Sequence, residues 1–182
     1  MATNSIMKTL YLERSVSNGR NGGWVNELDL TNVNRIVVGM GPGSFAGIRS
    51  ALAFAQGFAL GKSCEVLGLP SPCALAVDGE SIAVVGDARR GMCWIALLKG
   101  YALLKDVFQV KVEDLQSAFG GEFKVVSPDD ARIGNLLGAT FGERYLGLRL
   151  PTPEGLKAFA EANPSVLTRE PLPIYLNPAV RD

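Results

Sequence analysis

Histidine is missing altogether from the 182 residues. Its absence removes the commonest general base, the commonest metal ligand and every Ser-His or Cys-His nucleophile pair. Cysteine is scarce: Cys64, Cys73 and Cys93 are odd in number and show no C-x-x-C spacing. They argue against a disulfide framework and for a reducing compartment. Neither charge is in excess, since eighteen basic and eighteen acidic residues leave a formal net charge of zero. Autonomous nucleic-acid binding needs a basic field to displace counterions, so any RNA contact should be carried mostly by another subunit. The longest mainly apolar stretch, Ile48 to Leu60, is too short for a bilayer and contains Arg49 and Gln56. The opening MATNSIMKTLYLERS lacks the apolar core and small-residue cleavage pattern of a secretory signal. Together these absences predict a cytoplasmic protein with no metal site and no membrane contact.

What is present is enough for a core: 47% of the residues are hydrophobic and 20% charged, with a mean hydropathy of +0.17. KTLYLE (8–13) reads as a short strand, followed by a polar run in which Asn18-Gly19 and Asn21-Gly22-Gly23 signal turns. NRIVVGM (34–40) is β-branched and apolar, a buried strand. A helix from Phe45 to Leu60 should stop at Gly61, and CEVLGL (64–69) should be another strand. SPCALAVD (71–78) reads as a short helix. The pattern then restarts: SIAVVGDARRGMCWIALLKG (81–100) predicts two strands joined by a tight turn at Ala88 to Gly91. ALLKDVFQVK (102–111) predicts one further strand, VEDLQSAFG a short helix and EFKVVS a strand, while 129–150 carries no clear pattern. TPEGLKAFAEAN (152–163) has a capping threonine, proline at the first helical position and an apolar stripe of Leu156, Phe159 and Ala160. The proline-rich tail from Thr168 should be extended over the surface. Two successive blocks of mixed strands and helices indicate an α/β protein of two related lobes, 1–78 and 79–182.

The loop Gly39-Met40-Gly41-Pro42-Gly43-Ser44-Phe45-Ala46-Gly47 has the outline of a phosphate cradle. It lacks the lysine of the P-loop, and Ser44 stands where the dinucleotide fingerprint would have its third glycine. A helix N-terminus can still hold an anion. The alternative is a turn whose glycines permit tight packing and whose Ser44 caps the helix. The helix itself has an apolar face, Ile48, Leu52, Ala55 and Ala59 with Ala51 and Phe58 beside it, suited to a sheet. The opposite face carries Ser50, Phe54, Gly57 and Gly61 at helical spacing. Small residues with one aromatic suit the close approach of a second helix, from this chain or from another subunit.

GPGSFAGIRSALAFAQGFALG (41–61) resembles the bacterial TsaB (YeaZ) family pattern GPGSFTGLRIGLATAKGLA. Gly41, Pro42, Gly43, Ser44, Phe45, Gly47 and Arg49 carry that match. LGLPSPCALA, VVGDARRGMCWIALL and PLPIYLNPAV follow in the family's order, with Met92-Cys93-Trp94 in place of Glu-Val-Tyr and Asn177 in place of Arg. The resemblance implies a two-lobed, actin-like or Hsp70-like (ribonuclease H-like) fold related to glycoprotease-like M22 proteins. It implies a non-catalytic partner of the TsaD transferase subunit. With the TsaE ATPase, that complex places a threonylcarbamoyl group on N6 of tRNA adenosine 37. The resemblance also assigns the helix after GPGSF to self-pairing or pairing with TsaD, with tRNA contacted only through the complex. No cofactor is implied beyond ATP at a partner interface.

The beginning of the chain departs from the family, whose members open with a strand ending in D-T-S, a hairpin and a long helix. Here Glu13-Arg14-Ser15 stands in for D-T-S, and about 25 residues separate it from Gly41. The hairpin and helix must be shortened or lost, which disfavours autonomous ATP binding and alters the face available for pairing. Asp87, Arg89 and Arg90 around the second hairpin turn are candidates for contact with a nucleotide or a partner; the plainer reading is a solvated turn. Trp94 reads as core, Trp24 as packing for the N-terminal loop, and Asp129-Asp130 and Glu143-Arg144 as surface charge. Two further functions compete: an actin-like ATP-dependent phosphotransferase using the 39–47 loop, and an interaction module outside the tRNA pathway.

Overall fold

Residues 8–16 and 28–176 are described by a computed structural model. Strands β1 (Lys8–Leu12), β2 (Val33–Gly39) and β3 (Glu65–Leu69) form a three-stranded parallel sheet in the order β1-β2-β3. β2 lies at its centre and is apolar on both faces, as its β-branched run predicts. Ile36 and Val38 point under helix α1 (Phe45–Leu60), against Ile48, Ala51, Leu52 and Ala55. Val37, Leu67 and Leu69 point to the other side. The bounds of α1 are those the sequence predicts, because both signals are local: Ser44 caps the start and Gly61 follows the end. Among the described residues no hairpin or helix separates β1 from β2, which pair directly. The Asn-Gly turn signals and Trp24 fall in 17–27, outside the described residues.

The second sheet has six strands. β4 (Ser81–Arg89) and β5 (Met92–Lys99) form the predicted antiparallel hairpin. Arg90 and Gly91 make its two-residue turn with positive φ angles of 54° and 74°. β6 (Ala102–Leu103) and β7 (Phe108–Lys111) both pair with β5. β8 (Lys124–Ser127) and β9 (Tyr145–Leu148) extend the sheet parallel to β4. The single strand expected at 102–111 is thus two, broken at Leu104–Val107. Leu104 N–H makes a last rung to the Leu97 carbonyl at 2.9 Å, after which the charged pair Lys105-Asp106 leaves the ladder. The helix expected at 71–78 closes early, as a helical turn over Ser71–Leu75, because Ala76 is extended. The span without a clear pattern supplies helix α2 (Asp130–Phe141) and β9.

Helix α3 (Pro153–Ala162) starts at Thr152, whose hydroxyl accepts from Gly155 N–H at 3.1 Å. It packs its apolar stripe between the sheets rather than on its sequence neighbours. Leu156 and Phe159 sit in one buried cluster with Val37, Leu67 and Leu69 of the first sheet and Ile82, Val84, Ala96 and Val126 of the second. The opposite face of the second sheet, Ala83, Val85, Ile95 and Val125, is covered by Ile133, Leu137 and Phe141 of α2. From Thr168, which bridges Gly68, the tail runs extended; Ile174 N–H reaches the Met40 carbonyl at 2.9 Å. Gln109 Nε2 donates to the Leu176 carbonyl, so the tail ties both sheets together. Trp94 is buried, as expected of a core residue.

Candidate functional site

The glycine loop lies at the end of β2, and its amides face inward. Gly41 N–H donates to Ser71 Oγ at 2.9 Å and Ser44 N–H to the Ser15 carbonyl at 2.5 Å. Ser44 Oγ accepts from Gly47 N–H at 3.3 Å. A Cβ on Gly43 would stand 2.2 Å from the Ser15 carbonyl oxygen, and one on Gly47 only 2.1 Å from that of Arg14. These glycines therefore let the turn after β1 lie directly on the loop. Carbonyl oxygens of Arg14 and Ser15 rest against the start of α1, where a phosphate would have to sit. The Gly41–Pro42 peptide is cis.

Glu13 holds that turn in place. Its Oε1 accepts from Ser15 N–H at 2.6 Å, and Ser71 bonds the same carboxyl. The residue as a whole is half-buried, but its carboxyl end is enclosed, and Oε2 has no partner among the described residues. Burial pushes the acid above the usual carboxylate range; the hydrogen bonds from Ser15 and Ser71 offset this only in part. Burial likewise pushes the Cys73 thiol up to about 12, which leaves it unreactive.

Among the described residues, much of the outer face of α1 is exposed. Ser50 is exposed, its hydroxyl bonded back to the Gly47 carbonyl at 2.9 Å. Phe54 is half-buried beside Phe58, ring centroids 6.1 Å apart. Gly57 is exposed, and a Cβ built there meets nothing within 4 Å. Gly61 closes the helix end with its N–H on the Ala59 carbonyl. At the two ends Phe45 is 57% and Leu60 91% exposed, and Arg49 stacks over the Phe45 ring at 4.7 Å. A helix covered by a sheet on one side thus presents a small-residue face with aromatic anchors on the other.

Beside the start of α1 opens a cleft of about 1300 Å³, walled by the loops after β1 and β2, the tail, the second sheet and the start of α2. Pro42, Gly43, Ser44 and Phe45 meet Asp87 and Arg89 of the second hairpin there, so two motifs read separately in the sequence converge. Arg90 does not join them; it sits exposed at the turn tip. Asp87 behaves partly as the plain reading held, its Oδ1 accepting the Arg89 amide at 2.8 Å. Asp129 and Asp130 are not loose surface charge. Both line the cleft at the start of α2, and Asp129 Oδ2 accepts the Asp87 N–H at 3.0 Å. Asp130 accepts a hydrogen bond from Tyr145, whose phenol is held above its usual range by burial first and by Asp130 second. Arg144 is likewise structural, donating to the Gly120 and Phe123 carbonyls at 2.8 and 3.1 Å. The serine, proline and paired aspartates at 127–130 were the available signal, a helix start, but nothing local shows that it opens on Asp87. Among the described residues no group of three His, Cys, Asp or Glu could hold a metal ion. No helix there is long and apolar enough to cross a membrane.

A family model described as "TsaD: tRNA N6-adenosine threonylcarbamoyltransferase" matches residues 25–137, more than half of the chain. The tRNA threonylcarbamoyladenosine biosynthesis protein TsaB of Escherichia coli (strain K12) is 40% identical over 47 residues, 26% of this chain. That alignment spans only 20% of the curated relative's length. A solved structure titled "YeaZ from Pseudomonas aeruginosa" superposes with a TM-score of 0.70 at 20% identity, covering 92% of this chain and 99% of its own. A second, titled as an uncharacterized protein with similarity to peptidase YEAZ from the same organism, gives 0.69 at 18% identity, covering 93% and 99%. At these identities the likeness shows the fold, mixed α/β of the actin-like class.

Proposed function

The chain belongs to the family described as TsaD, tRNA N6-adenosine threonylcarbamoyltransferase, and from this premise we propose that it is a TsaB-like, non-catalytic subunit. Its work is to support a TsaD-type transferase in making threonylcarbamoyladenosine in tRNA, in the cytoplasm and together with a TsaE-type ATPase. The 40% identity over 47 residues with a TsaB protein and the two YeaZ-like folds support a place in that biosynthesis. The carrying observation is the outer face of α1: among the described residues, Ser50 and Gly57 are exposed on it directly after the motif loop. The loop amides of Gly41 and Ser44 are already taken by Ser71 Oγ and the Ser15 carbonyl, which weighs against the phosphotransferase reading.

Copurification with the cognate TsaD-type subunit tests the proposal. A stable complex at micromolar concentration is expected, and tRNA modification by TsaD and TsaE subunits should depend on adding this chain. Absence of a complex, or full modification without the chain, would overturn it. Calorimetry of the isolated chain with Mg-ATP should show no binding heat; a one-site isotherm would revive the phosphotransferase.

A further inference from the structure

The cleft beside α1 is not used by the pairing face, yet its walls are chemically specific. Its rim carries three large side chains from distant parts of the chain: Phe45, Leu148 and Tyr175, exposed by 57%, 57% and 56%. The Phe45 and Tyr175 rings lie 5.8 Å apart. Asp87 and Asp129 lie beneath, loosely held by cations. The Asp87 carboxylate has Arg89 Nη1 at 3.3 Å and Arg132 Nη1 at 3.9 Å, and Asp129 Oδ1 has Arg132 Nη1 at 3.9 Å. With Asp130 the cleft holds three aspartates against two arginines whose side chains are more than half exposed. In a partly buried site such a field attracts a cation and repels phosphate.

We propose that this cleft is a second docking site for the transferase partner, and that it receives a lysine or arginine of that partner flanked by apolar side chains. The proposal rests on the partner reading above. The acid pair supplies acceptors for the basic head, while Phe45, Leu148 and Tyr175 take the apolar neighbours and the basic side chain's own stem. The site is also continuous with α1: Phe45 is both the first residue of that helix and a wall of the cleft. A partner seated on Ser50, Phe54 and Gly57 reaches it without crossing another surface.

The test uses the full chain and its cognate TsaD-type subunit. Leu148→Ser and Tyr175→Ala, both at exposed positions, and Asp129→Asn are titrated against the partner at low and high salt. Each apolar variant should weaken binding about tenfold. Asp129→Asn should weaken it and flatten the salt dependence. A photoreactive side chain at position 148 should cross-link to a partner segment containing a lysine or arginine. If all three variants bind like the unaltered chain, the cleft proposal fails while the partner reading stands. A cross-link to tRNA instead of protein also overturns it. If the unaltered chain forms no complex, both fail together.

Discussion

Glu13 places an acid where water is scarce, with one oxygen on the Ser15 amide and the other without a partner among the described residues. Its proton affinity is raised in the folded chain, so this group favours folding most below about pH 4.3, the ordinary carboxylate value. That contribution is lost as the pH rises through the folded value, because the native acid is forced to ionise in a dry site. Glu13→Gln keeps an acceptor for Ser15 and removes the charge. Melting curves from pH 4 to 8 should therefore show the variant gaining on the unaltered chain as pH rises; curves that stay parallel would refute this. Gly47→Ala acts on the same turn through shape alone. Its Cβ would press on the Arg14 carbonyl, and overpacking of this kind costs roughly 1–3 kcal/mol by chemical denaturation. Both the missing lysine and the Ser44 cap were legible in the sequence. That the glycines serve chain-on-chain packing was not, because the carbonyls they accommodate belong to a turn some thirty residues earlier.

At the scale of elements, α1 and α3 were predicted well because their signals are local. Ser44 and Gly61 bracket α1, and Thr152 with Pro153 starts α3. Thr152→Ala removes the acceptor for Gly155 N–H and should cost about 1 kcal/mol in a denaturant titration. Helix α2 escaped because two glycines, Gly134 and Gly138, weaken its intrinsic preference. It forms because Ile133, Leu137 and Phe141 find the second sheet, and tertiary burial outweighs propensity. Gly57→Leu separates stability from association. With open space around position 57, the isolated chain should gain roughly 0.5–1 kcal/mol from better helix propensity. Binding to the transferase subunit should nevertheless be lost. Loss of monomer stability, or unchanged partner affinity, would contradict the assignment of that face.

The two sheets share one buried cluster, and each has a further cluster of its own on its other side, under α1 and under α2. Phe159 is fully buried between side chains of both sheets and meets Tyr101 edge-on at 6.1 Å between centroids. Phe159→Ala should cost roughly 3–5 kcal/mol and loosen both sheets together. A single cooperative transition at lower denaturant is expected; two separate transitions would show that the sheets fold independently. The tail adds a second tie, through Met40 and Gln109, on the wall of the cleft.

Residue types and short spacings determined the strand and helix identities of most elements, the capped ends of α1, the tight second hairpin and the family resemblance. All of these depend on interactions within a few residues, or on patterns of period two and three to four. Only the tertiary structure decided that α3 returns to lie between the sheets, that Asp129 meets Asp87, and that the glycine loop is packed by the chain rather than open to a phosphate. Those contacts join positions tens of residues apart, and their geometry is set by how the sheets pack, which no local pattern encodes.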